Sequence, residues 1–271
     1  MTIPQSEDTR PLHVAPLEPA ERRALMEAEV GALMRSSALA LMLPVAVLAL
    51  LVALVATWWL GLLVLVLGTA AALGAVAWRR SRSVDAVLEA LGARPLRPGE
   101  HPGYDNLIDG LCMASGQVEP GLFVVDDPAA NAATVAAPGT HCVVVTSGLL
   151  EAADRIRLEA VLAQQVAHLL GGDAEAATAA HAFRTSIGWR HGLDRVLPNR
   201  REELADLNAL DITRYPPGLI DALELVGALG PGVTVSAPEV AHLWFVAPDP
   251  AQVANAAQVS LNRRLALLRE L

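Results

Sequence analysis

The chain is poor in the features that usually announce chemistry. It has two cysteines in 271 residues, Cys112 and Cys142, both in apolar surroundings and without C-x-x-C spacing. That excludes a disulfide framework and a thiolate metal site, and leaves two buried thiols as the expectation. There is no glycine-rich phosphate loop, dinucleotide fingerprint or nucleophile elbow, and the Gly-Gly-Asp at Gly171 reads as a helix end. The 20 basic residues, all arginine and scattered, are outnumbered by 29 acidic ones, for a net charge of −9. Nucleic acid is therefore not an expected partner.

One absence is strictly local. No charged residue occurs from Ser36 to Trp78, and the 53% hydrophobic content of the chain is concentrated there. A bilayer is spanned by about 20 apolar residues, so this run holds two crossings, near Ala38 to Ala56 and Leu60 to Ala77, with Thr57, Trp58 and Trp59 at the turn. Arg35 precedes the hairpin and Arg79, Arg80 and Arg82 follow it, while its tip is uncharged. By the positive-inside rule both ends lie in the cytoplasm of an inner (plasma) membrane protein. The alternative is a buried hydrophobic hairpin in a soluble core. A cleaved signal peptide is not expected, because about 35 largely polar residues precede a run too long for an h-region.

The stretch Asp154 to Gly172 reads as one helix. Asp154 caps its start, its interior has neither Gly nor Pro, and Gly171 and Gly172 supply the exit. Apolar residues surround its second half, so that half is buried. Inside it lie Gln164, Gln165 and His168, with Gln164 and His168 one turn apart on one face. This is the spacing of the zincin motif H-E-x-x-H, in which two imidazoles bind one zinc and the Glu activates water. Here the motif reads Gln-Gln-Val-Ala-His. A lone helical histidine is ordinarily a hydrogen-bonded core residue.

The flanks widen the reading. Asn106 to Gly116 (NLIDGLCMASG), Gly121 to Asn131 (GLFVVDDPAAN), Val143 to His168, and Arg201 to Leu223 (REELADLNALDITRYPPGLIDAL), with AHLWF at Ala241 to Phe245, follow the order and spacing of the HtpX-type integral membrane zinc metallopeptidases. That family also contains the CAAX prenyl proteases. The resemblance covers about Leu88 to Leu271. It implies an α+β fold, a two-helix transmembrane hairpin followed by a mainly helical zincin-like (gluzincin) domain with a small β-sheet. The expected division is a flexible N-terminus and lead-in helix at 1–35, the hairpin at 36–78, a juxtamembrane linker at 79–103 and the peptidase-like domain at 104–271.

The resemblance also assigns the site. His168 takes the position of the second zinc ligand and Glu202 that of the third, whereas Gln164 stands at the first ligand position and Gln165 at that of the general base. An amide oxygen is a poor zinc donor, and two remaining ligands fall short of the three that a catalytic zinc normally has. Gln165 cannot take a proton, a role that typically contributes about 10²- to 10⁴-fold in rate. Zinc, the family's cofactor, is thus expected to bind weakly or not at all. The expected function is a pseudopeptidase that binds or regulates peptides or membrane proteins. The alternative is an active zinc metalloendopeptidase using His168, Glu202 and an unrecognised ligand, for which His181 and His191 are the candidates.

Remaining residues carry weaker expectations. In the resembled family the strand near Asn131 pairs with extended substrate, which makes Asn131 a peptide-binding candidate; the plainer role is to close a turn. Asp126 and Asp127 are adjacent and precede a proline, which suits a turn better than paired-carboxylate chemistry. Strands are expected at Leu122 to Val125 and His141 to Thr146, with a further one possible at Ala132 to Val135.

Overall fold

The computed structural model of the chain describes residues 19–187, 201–248 and 260–271. The lead-in and the first crossing form one continuous helix, α1 (Pro19–Val55), which runs through Pro44. A two-residue turn leads into α2 (Trp58–Ser81), so Trp58 and Trp59 open the second helix instead of lying in the turn. The windows of the two helices apolar enough to cross a bilayer are only 6% and 17% buried. That exposure excludes the soluble-core hairpin, since a core helix would hide most of its apolar surface.

The two helices approach closely at glycines. A Cβ built on Gly61 would stand 2.5 Å from the Ala53 Cβ and 2.7 Å from the Ala49 carbonyl oxygen, and one on Gly68 would stand 2.3 Å from a Val45 methyl. Small residues that let backbones meet are the usual device for helix packing in lipid.

The juxtamembrane stretch 79–103 carries α3 (Ser83–Leu91) and β1 (Arg94–Pro95). Val84, Val87, Leu88 and Leu91 recur at helical spacing and are buried, so α3 packs into the domain core. After α4 (Pro102–Ser115) come β2 (Gly121–Val125), β3 (Ala132–Ala137) and β4 (Thr140–Thr146). The sheet order is β1-β2-β4-β3, with β2 parallel to β4 and the other pairs antiparallel. Pro138 and Gly139 join β3 to β4, and Gly139 has φ +77°, the left-handed position that a type II turn requires.

Helices cover both faces of this sheet. Val144, Val135 and Cys142 face α3, α7 (Asp173–Ile187) and the base of α1, while Val143, Val145 and Ala132 face α4 and α6 (Arg155–Gly171). Cys112 and Cys142 fall in these two separate clusters and both are buried free thiols. The short helix α5 (Ser147–Ala152) precedes α6, and α8 (Arg201–Thr213), α9 (Pro216–Leu229), a 3₁₀ turn at Pro238–Leu243 and α10 (Leu261–Arg269) complete the described elements. Helix α1 is built into this body: Met26 and Val30 are buried, and Arg23 donates to the Leu169 carbonyl at 3.2 Å.

Candidate functional site

Helix α6 forms as its sequence dictates. The Asp154 carboxylate accepts from the Arg157 amide at 2.9 Å at one end, and Gly172 turns left-handed with φ +71° at the other. Val161, Leu162, Ala163 and Val166 are fully buried, which carries Gln164, Gln165 and His168 into the interior with them. Helix α8 crosses α6 and delivers Glu202, 2% exposed, to the same point.

Gln164, Gln165, His168 and Glu202 meet there. The Gln164 amide nitrogen donates to Glu202 Oε2 at 3.0 Å and stands 3.0 Å from His168 Nε2. Gln165 donates to the Gln164 amide oxygen and accepts from the Thr134 hydroxyl at 2.8 Å. His168 Nε2 and Glu202 Oε2 are 3.5 Å apart.

Around them lies a shell that the sequence reading missed. His168 Nδ1 is 2.6 Å from Asp173 Oδ2, and Arg201 Nε donates to the same oxygen at 3.0 Å. Arg264 forms a two-pronged pair with Asp206 at 2.6 and 2.7 Å, lies 4.5 Å over the Phe245 ring and donates to the Phe245 carbonyl. The signal for Asp173 was an acidic residue placed directly after the glycine exit of the His168 helix. Arg264 gave no local signal, because its partner is 58 residues away.

Burial works against charge on His168, yet the negative charges of Asp173 and Glu202 outweigh it and hold the imidazole up at about 9. Burial likewise opposes the Glu202 carboxylate, but His168 and Arg201 hold it down at about 2. The 3.0 Å contact with the Gln164 amide nitrogen suits only a neutral ring, so it and the carboxylates pull in opposite directions. The charge balance decides: Asp173, Glu202 and Asp206 carry three negative charges against two on Arg201 and Arg264, and an imidazolium closes the difference. Its Nδ1–H then donates to Asp173 and its Nε2–H points at Glu202.

These residues do not fit a catalytic zinc. The donor set is one imidazole and one carboxylate, the imidazole must shed a proton to coordinate, and the Gln164 amide fills the space between the two. Among the described residues no three His, Cys, Asp or Glu side chains converge in a metal-holding group. His181 is buried on α7, and His191 lies outside the described residues. Gln165 offers an amide where a base would be needed.

Asn131 is set apart from this cluster. It is fully buried, its Nδ2 donates to the Pro231 and Val246 carbonyls at 2.9 and 2.8 Å, and its Oδ1 accepts from the Ala132 and Val246 amides. Every donor and acceptor of its side chain is spent inside the fold. Asp127 accepts from the Ala129 amide and from both the amide and hydroxyl of Thr234, the turn role its sequence context suggested.

No family model matches the chain, and no solved structure matches it. Curated relatives do. A protease HtpX homologue of Dictyoglomus thermophilum is 30% identical over 211 residues, covering 64% of this chain and 70% of that protein. Protease HtpX homologues of Tropheryma whipplei and Streptococcus pyogenes are each 27% identical, over 197 and 189 residues, covering 59% and 53% of this chain and 68% and 63% of theirs. With these relatives, and with two exposed apolar helices ahead of a mainly helical domain, the chain belongs to the HtpX protease-homologue family of membrane metallopeptidases.

Proposed function

We propose that this protein is a non-catalytic member of its family, a membrane-anchored pseudopeptidase that acts by binding or regulating peptides or membrane proteins. The observation that carries the reading is the Gln164 amide nitrogen, 3.0 Å from His168 Nε2 and from Glu202 Oε2. An uncharged amide donates to Glu202 and stands against His168, filling the space between the two groups that correspond to retained zinc ligands. Glutamine at position 165 compounds the loss, since without a bound metal water keeps its bulk pKa, far above the value of about 7 that a zinc would give it, and no base stands by to deprotonate it.

In this reading zinc binds weakly or not at all, and the domain lies on the cytoplasmic side of the inner membrane. The second proposal rests on Arg35, Arg79, Arg80 and Arg82 flanking the hairpin and on its uncharged tip. Zinc stoichiometry of the purified, metal-loaded protein tests the first. Wild type is expected to hold none, and the Gln164→His, Gln165→Glu double variant to hold one zinc per chain. Stoichiometric zinc in wild type that disappears on His168→Ala would instead return the protein to the metalloendopeptidases.

A further inference from the structure

Strand β3 is the outer strand of the sheet, hydrogen-bonded to β4 on one side only. An exposed edge of this kind is a template to which an extended peptide adds by main-chain hydrogen bonds. The edge is already taken. The Ala132 carbonyl accepts from the Phe245 amide at 2.6 Å, Ala133 pairs with Trp244 in an antiparallel bridge, and the Ala136 amide donates to the Thr178 hydroxyl at 3.1 Å.

The segment that lies on the edge is firmly held. Trp244 is fully buried and its indole N–H donates to the Ser236 hydroxyl. Phe245 is buried, its ring under the Arg264 guanidinium and its carbonyl accepting from it. Asn131 takes both the amide and the carbonyl of Val246. Thr134, in the middle of the same edge, gives its hydroxyl to Gln165, so the occupied edge and the glutamine pair are directly joined.

We infer that Trp244–Val246 is an internal strap that occupies the β3 edge in the manner of an added peptide, so that an extended polypeptide binds there only after the strap leaves. Asn131 and Arg264 are its positioning residues. The inference refines how a partner reaches the cleft of the pseudopeptidase proposed above, and zinc content tests that reading separately.

The test uses the full-length protein in detergent and a fluorescein-labelled peptide of the strap itself, Val240 to Pro248. Phe245→Pro removes the amide that bonds Ala132, and Asn131→Ala removes the clamp on Val246 while leaving that amide in place. Each variant is expected to bind the peptide at least about tenfold more tightly than wild type. In wild type the Phe245 amide is expected to exchange its hydrogen at least about 100-fold more slowly than in the free peptide. Equal peptide affinity in wild type and Asn131→Ala, or free-peptide exchange at Phe245 in wild type, overturns the strap. The exchange measurement needs no variant, so it decides even if Phe245→Pro does not fold.

Discussion

The amide nitrogen of Gln164 is 3.0 Å from Glu202 Oε2 and 3.0 Å from His168 Nε2, one side chain joining two helices in the interior of the domain. The consequences are structural and measurable.

Replacing Gln164 by leucine keeps the volume and helix propensity but strips a donor from the buried Glu202 carboxylate and an acceptor from Gln165. An unsatisfied buried polar group costs about 1–3 kcal/mol, more when it is charged. Denaturant unfolding of Gln164→Leu in detergent should therefore show a loss at or above the upper end of that range. A loss below about 0.5 kcal/mol would mean the amide does not bind the helices together.

Stability should depend on pH on both sides of a plateau. The folded pKa of His168 is raised to about 9 from 6.5, so its contribution is complete below 6.5 and is lost as pH rises through about 9. Glu202 is lowered to about 2 from 4.5, so its contribution is complete above 4.5 and is lost as pH falls toward about 2. Thermal midpoints measured across pH should peak between those inner limits. In His168→Gln the alkaline decline should disappear; an unchanged decline would place its origin elsewhere.

Arg264 and Asp206 form a fully buried pair, and removing one member leaves the other uncompensated, at a cost of about 3–5 kcal/mol. Arg264→Met should be severely destabilised. The double variant Arg264→Met, Asp206→Leu should recover part of that loss, because no lone charge remains. A double variant less stable than the sum of the single ones would contradict this account.

The hairpin depends on Gly61 and Gly68. Leucine at either position would drive into α1, within 2.5 Å of Ala53 or 2.3 Å of Val45 at the Cβ alone. The expected outcome is separation of the two helices, read as a lower thermal midpoint of each leucine variant in detergent, with alanine at the same position lowering it less. An unchanged midpoint in both leucine variants would show that packing tolerates the added volume.

Much of the molecule was legible because its causes are local. The uncharged run from Ser36 to Trp78, the Asp154 cap, the Gly172 exit and the β-branched run of β4 each act within a few residues, and the corresponding elements formed. Nothing separates the lead-in from the first crossing, so α1 continues through both, and the apolar face of α3 draws the juxtamembrane stretch into the core. The contacts of Asn131 could not be read locally, because its partners Pro231 and Val246 lie 100 and 115 residues away.

The sequence by itself determined that two apolar helices precede an HtpX-like domain, that the central helix is buried, and that it carries two adjacent amides one turn before its histidine. Helical period, hydrophobic run length and side-chain chemistry suffice for that. Only the tertiary structure decided that the Gln164 amide reaches Glu202, 38 residues on, that Asp173 and two arginines complete the charge balance, and that Trp244–Val246 covers the sheet edge. Those contacts join elements distant in sequence, and no local propensity fixes where such elements meet; the packing of helices on the two faces of one sheet does.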